Sequence, residues 1–364
     1  MSVEDNDFLN SPNKVALSIL VVCLLALGLG VFNAVRTKAP PPSNAEELDG
    51  SVSSLFEKKG DQIMLVDLSG PITMDAPGDS SGLFDSDTNA MKALKALNKA
   101  EKEPRVKAVL LRVNSPGGTV GMSQELNAAV RRVSLKKPVV ASFGDTAASG
   151  GYYTACAADK IVTNPGTLTA SIGVIISTIN MQRLFEDKLG LQPVTIKSGK
   201  FKDILSPYRQ PTEDDKKLIQ GIIDDSYADF LSTVLEGRTR FVKDPVKKAA
   251  LTAKIKAIAD GRVVSGRQAI AAGLADELGD LKAAYELTNK MAKERHHLSG
   301  DKQLPLVPFE EHATLLEMLG LPTLMQHLPA PRSASGADMA SAEVLGGMLP
   351  FSVRYPNQPL WILE

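Results

Sequence analysis

Ser149 stands in the run DTAASGGYY, residues 145–153, with two alanines before it and two glycines after it. A serine so placed ordinarily caps the helix that follows. Where a base can take its proton, it instead attacks a carbonyl carbon. Small neighbours suit the second use, because they let a substrate backbone come close, as at the nucleophile elbow of hydrolases. A second glycine turn, NSPGG over residues 114–118, also ends an apolar run and opens a helix. Two such turns on successive parallel strands would lie side by side at the carboxyl edge of a sheet, where open α/β folds bind ligands. Acyl transfer needs that arrangement, since two fixed N–H donors must sit about 3 Å from the developing oxyanion. Gly150 and one of Gly117 and Gly118 are the candidate donors. Neither a Walker-type nor a dinucleotide-type glycine pattern is present, so the turns do not read as phosphate loops.

The base is the harder question. The four histidines, His296, His297, His312 and His327, leave residues 1–295 without an imidazole. A Ser-His-Asp triad would have to draw its histidine from the irregular end of the chain. Lysine is the alternative, provided burial brings it down from its ordinary value of about 10.4, and Ser-Lys pairs are a known variant of triad chemistry. The stretch VTIKSGKFKDILSP offers Lys197, Lys200 and Lys202, and spacing does not choose among them.

The elements that must hold these groups alternate. QIMLVDLSG reads as a strand, NAMKALKALNKAEKE as an amphipathic helix, VKAVLLRVNSPGG as a strand entering its turn, residues 122–133 as a helix and PVVASFG as a strand. Strand, helix and strand at about 30-residue spacing are βαβ units with buried parallel strands, an α/β architecture. KIVTN and VTIKSG continue the strand series, and a long helix follows from Thr212, which with Asp215 has the makings of a capping box. The globular domain is read as residues 60–297.

Composition narrows the function. Lys and Arg number 41 against 42 Asp and Glu, and aromatics make up 5 %, so there is neither a basic footprint nor a stacking platform for nucleic acid. The two cysteines, Cys23 and Cys156, support neither a disulfide framework nor a zinc site, and no metal or cofactor is expected. After an acidic tail at residues 1–14, Val15–Val35 is uncharged and long enough to span a bilayer. A cleaved signal peptide would begin with a basic segment, so this run is read as an anchor. Lys14 on one side against Arg36 and Lys38 on the other does not fix its orientation. Residues 36–59, which include KAPPPSN, suit an extended spacer. Residues 298–364 carry no catalytic pattern. Their apolar end, LPFSVRYPNQPLWILE, could dock on the domain, on a neighbouring subunit or on a partner, or could be a partly ordered tail.

Together, RVNSPGG, AASGGYYTACAADKIVTNPGTLTASIGVI, IKSGKFKDILSPYR and DGRVVSGRQAIAAGLADELG resemble the signal peptide peptidase A family of membrane-anchored serine proteases. That family lies within the Clp protease/crotonase superfamily, and the likeness is to its short, single-repeat form. The resemblance implies a Clp protease/crotonase-like fold, Ser149 as nucleophile, Lys202 as general base and Ser171 as the hydroxyl that orients the lysine. It implies oxyanion donors at Gly150 and the Gly117/Gly118 pair. It also implies a homo-oligomer with sites at subunit boundaries, where serine and lysine can come from neighbouring protomers. The implied substrates are signal-peptide remnants in the membrane, and the implied location is a single-pass protein of the cell membrane with its catalytic domain on the extracytoplasmic side. The alternatives are a regulatory protease of the stomatin-associated type, an acyl-CoA-binding crotonase relative that polarises a thioester carbonyl, and a non-catalytic scaffold. The long extension and the acidic residues before the anchor depart from the family pattern.

Overall fold

The computed structural model describes residues 60–74 and 88–309, together with the backbone of residues 360–362. The anchor expected at residues 15–35, the spacer and most of the extension lie outside the described residues. Among the described residues no helix is long and apolar enough to cross a membrane.

The first half of the domain repeats strand and helix. It runs through β1 (Gln62–Ser69), α1 (Asn89–Lys102), β2 (Val106–Ser115), β3 (Gly117–Thr119), α2 (Val120–Lys136) and β4 (Val139–Ala148). A six-residue helix, α3 (Gly150–Ala155), leads to β5 (Lys160–Thr163) and β6 (Leu168–Ala170). The second half holds α4 (Glu213–Thr239), α5 (Pro245–Lys256), β7 (Val263–Ser265), α6 (Gly266–Ala272), β8 (Glu277–Leu278), α7 (Leu281–His296) and β9 (Leu306–Pro308). A last short strand, β10, spans Leu360–Ile362.

β9, β1, β2 and β4 lie side by side in parallel. β4 then forks. Its first half, Val140–Ser142, pairs with β5, and its last residues, Thr146–Ala148, pair with β6. The sheet is mixed rather than wholly parallel, because β7 closes it antiparallel to β6. Alternation along β1 sends Met64, Val66 and Leu68 to one face and Ile63 to the other. On the first face they meet Ala93, Ala96 and Leu97 of α1 and Leu126, Val130 and Val133 of α2. On the second, Ile63, Leu110 and Val140 meet Ala284 and Ala292 of α7. These side chains are fully or almost fully buried, and each Leu or Val so placed contributes about 1.5–3 kcal/mol. The capping box at Thr212 forms, with both reciprocal bonds to Asp215 in place.

Two expectations are corrected. VTIKSG is not a strand: residues 191–197 have no regular structure, and Val194 and Ile196 are 83 % and 97 % exposed. Its alternation of apolar and polar residues is strand-like, but among the described residues no sheet edge stands beside it to take its backbone bonds. The sheet also reaches past residue 297, since β9 pairs with β1 over Ile63–Leu65 and Phe309 packs on the core.

Candidate active site

β2 and β4 are neighbours, with Ser115 opposite Ala147, so the two glycine turns emerge side by side from the same edge of the sheet. Asn114 ties them directly, its Oδ1 accepting from Thr146 N–H at 3.1 Å. In the first turn Ser115 Oγ accepts from Gly117 N–H at 3.1 Å. Gly118 is then gripped by Ile72. Ile72 N–H donates to Gly117 O at 2.9 Å, and Thr119 N–H donates to Ile72 O at 2.8 Å. A Cβ on Gly118 would lie 2.6 Å from the Ile72 carbonyl carbon and closer still to its oxygen, so only glycine fits. Because Gly117 N–H is occupied by Ser115, Gly118 is the better placed of the two as a donor to a ligand.

In the second turn, Ser149 has φ 51° and ψ −120°, a conformation that costs a non-glycine residue roughly 1–3 kcal/mol. Its N–H donates to Ala170 O at 2.8 Å, which fixes the turn against β6. Its side chain makes no capping bond, so the ordinary use of a serine before a helix does not apply here. Ser149 is 0 % exposed, and Oγ has no hydrogen-bond partner among the described residues. An unmade bond on a buried hydroxyl costs about 1–3 kcal/mol.

The surroundings of that hydroxyl are otherwise satisfied. In α3, Tyr152 Oη donates to Leu274 O at 2.8 Å and Tyr153 Oη to Asp229 Oδ2 at 2.9 Å. Asn127 Nδ2 donates to Tyr153 O at 2.6 Å, and Thr154 Oγ1 donates to Gly150 O at 2.9 Å. Burial keeps the Tyr152 phenol neutral and pushes the Cys156 thiol up to about 12, which leaves that cysteine an inert packing group. Helix geometry leaves the first N–H groups of α3, those of Gly150 and Gly151, without an intrahelical carbonyl. Gly151 also lets α3 sit on β2, because a Cβ there would come within 3.0 Å of Ser115 O.

Ser171 is brought beside the nucleophile by strand register. Ala148 and Ala170 are partners in the β4–β6 ladder, so Ser149 and Ser171 are the next residues of adjacent strands. Both Ala170 and Ser171 have positive φ, at 66° and 51°. Ser171 is 7 % exposed, and its N–H donates to Arg262 O at 3.0 Å.

The lysines are elsewhere. Ser149 Oγ has no partner among the described residues, so none of Lys197, Lys200 and Lys202 bonds to it within one chain. Lys197 is paired with Asp203 at 2.5 Å and Lys200 with Asp214. Lys202 is exposed and carries no ion pair among the described residues. Arg209 pins this segment to the start of α4 by bonding Asp203 at 2.9 Å and Asp215 at 2.5 Å. The Arg209 bond to Asp203, with that of Lys197 to the same carboxylate, holds the Asp203 carboxyl down at about 2. The roles of Asn114 and Ser115 were not read from the sequence, although an Asn and a Ser at a strand-ending turn are the signal for side chains that bond local backbone.

The sequence profile of peptidase family S49 matches residues 131–295, a stretch that holds Ser149, Ser171 and Lys202 and omits the first glycine turn. A candidate protease of Synechocystis sp. is 38 % identical over 277 residues, which cover 74 % of this chain and 88 % of that one. The chain belongs to peptidase family S49. Within this family of serine peptidases it is also similar to a candidate signal peptide peptidase of Enterococcus faecium, 39 % identical over 58 % of this chain and 59 % of that protein. It is 33 % identical to protease 4 of Salmonella typhi over 74 % of this chain and 41 % of that longer protein.

Proposed function

We propose that this S49 peptidase is a membrane-anchored endopeptidase in which Ser149 is the nucleophile and Lys202 of a neighbouring copy is the base. The observation that carries the reading is the buried Ser149 Oγ, without a partner among the described residues and held at positive φ in the second of two adjoining glycine turns. Proton transfer from Oγ to a neutral lysine Nζ lets the oxygen attack the peptide carbonyl. The oxyanion sits on Gly118 N–H and Gly150 N–H, the amine leaves with the lysine's proton, and water then releases the acyl group. Ser171, next to Ser149 in the adjacent strand, orients the lysine.

Assembly is part of the proposal. Lys202 must lose water to act as a base, and in a single chain it is exposed. It lies on the segment that leaves Val194 and Ile196 bare, together with Ile179, Leu189 and Leu191, each more than half exposed. An apolar surface of that extent is what a subunit interface covers. A homo-oligomer in the Clp protease/crotonase manner buries it and carries Lys202 to the next copy's Ser149. Signal-peptide remnants are the proposed substrates, since apolar segments with small side chains suit a site lined by Ala147, Ala148, Gly150 and Gly151. The uncharged run at residues 15–35 would tether the enzyme, with its domain on the extracytoplasmic side.

A serine-directed fluorophosphonate tests the dyad on the full chain. The parent and Lys200→Ala are expected to label. Ser149→Ala should not label, and Lys202→Ala should label on the order of 10²–10⁴-fold more slowly. Mixing Ser149→Ala with Lys202→Ala copies is expected to restore labelling, because some sites then draw an intact serine and an intact lysine from different chains. Parent-like labelling of Lys202→Ala would rule that lysine out.

A further inference from the structure

Among the described residues Arg112, Arg131, Arg209, Arg238 and Arg240 are the part-buried arginines. All but the first have a carboxylate within ion-pair distance: Glu236 for Arg131, Asp203 and Asp215 for Arg209, Asp276 for Arg238 and Asp159 for Arg240. Arg112, in the body of β2, has none among the described residues. A charge drawn out of water ordinarily has a counter-ion, so this guanidinium stands apart from the others.

Its Nη1 donates to Ser142 Oγ at 2.9 Å and to Phe143 O at 3.1 Å, and Asn164 Nδ2 donates to the same carbonyl at 3.1 Å. The N–H groups of Nε and Nη2 are left without a partner among the described residues. They lie parallel on one edge of the guanidinium, the fork that takes both oxygens of a carboxylate. Asp67 is opposite Arg112 in the β1–β2 ladder, but it accepts from Ser69 Oγ at 2.6 Å and makes no ion pair with the arginine.

Arg112 and Asn164 line a cavity of about 610 Å³, a size within the range of small-ligand sites, about 300–1,000 Å³. α7 covers Leu110 on this face of the sheet and begins only at Leu281, so the cavity opens where the helix cover ends. Leu281, Tyr285 and Leu306 give it apolar walls. Tyr285 Oη is taken up by Leu304 O at 2.5 Å, which leaves the ring as apolar surface. Lys282 and Asp280 also line the cavity, and Asp280 Oδ1 is occupied in accepting from Ala283 N–H at 2.9 Å. Two cations set against Asp280, with Asp67 nearby, suit one added negative charge and disfavour two.

We infer that this cavity binds a monocarboxylate carried on an apolar body, with its oxygens on the Nε and Nη2 edge of Arg112 and its apolar part against Leu281, Tyr285 and Leu306. The end of an apolar peptide and a fatty acid share that chemistry. The site makes no use of Ser149 and lies outside the peptidase reading.

Calorimetric titration of the full chain with N-acetyl-dileucine, with its C-terminal amide and with octanoate tests this. The acids are expected to bind, and the amide to bind at least about tenfold more weakly. Arg112→Gln should weaken the acids about 10- to 100-fold, the worth of a hydrogen bond to a charged group. Lys282→Glu, at a side chain 81 % exposed, should weaken them about two- to fivefold without disturbing the fold, and it decides the matter should Arg112→Gln not fold. Tighter binding of the dipeptide acid supports a site for peptide ends, and tighter binding of octanoate supports a site for fatty acids. Equal binding of acid and amide, parent-like affinity in both variants, or inorganic phosphate binding more tightly than either acid would overturn the inference. Peptide hydrolysis is not read, so none of these results bears on the peptidase reading.

Discussion

Ser149→Ala is expected to abolish peptide hydrolysis while making the protein more stable. The two effects have one origin. Removing the nucleophile of a serine peptidase lowers turnover on the order of 10⁴- to 10⁶-fold. In the resting chain the same hydroxyl is buried without a partner among the described residues, and its loss removes a desolvation penalty of about 1–3 kcal/mol. Alanine at this position meets the same positive φ as serine, so the turn is no more strained than before. The test pairs a peptide assay with urea denaturation of parent and variant. A lower urea midpoint in the variant would show that the hydroxyl holds the turn together, and the nucleophile assignment would lose its main support.

The second large effect is expected at Gly118, through geometry alone. An added Cβ would collide with the backbone of Ile72, and backbone cannot swing aside as a side chain does. Gly118→Ala should therefore break the bridge to Ile72 and misplace the N–H offered to the oxyanion. The expected loss is on the order of 10²–10³-fold in kcat, as for the removal of one oxyanion donor. Stability should fall by about 1–3 kcal/mol, the usual range for forcing an atom into packed structure. Gly121→Ala is the control three residues on, in α2, where a Cβ meets nothing within 4 Å. There alanine is the better helix former by about 1 kcal/mol, and both activity and urea midpoint should hold or rise. Parent-like behaviour of Gly118→Ala would mean that the glycine serves loop folding only.

The sequence carried the α/β order because that order is local. Apolar runs mark β1, β2 and β4, and the period of α1 and α2 shows which faces they bury. The pairing of the two glycine turns was also legible, since successive parallel strands put them on one edge. VTIKSG shows the limit of such reading. Its pattern is that of a strand, but a strand also requires a neighbour, and pattern says nothing about where one stands. β9 and β10 were missed for the converse reason: three residues are too few to show a period, and their strand character comes wholly from the edges they join. At the site, residue types nominated Ser149, but its unpartnered Oγ and left-handed backbone are properties of packing. The choice between Gly117 and Gly118 depended on the hydroxyl of Ser115, which the motif contains without saying what it bonds.

The three left-handed residues at 149, 170 and 171 set a conflict between endurance and activity. They lie on neighbouring strands, joined by the bond from Ser149 N–H to Ala170 O, and none is a glycine. Each stores backbone energy that glycine would release at little steric cost. Natural proteins sit near a stability threshold, where such reserves are the easiest to recover and the costliest to function. A lineage of this chain selected only for heat resistance would be drawn toward Ala170→Gly and Ser171→Gly. It would gain melting temperature while loosening the turn that holds the attacking oxygen still.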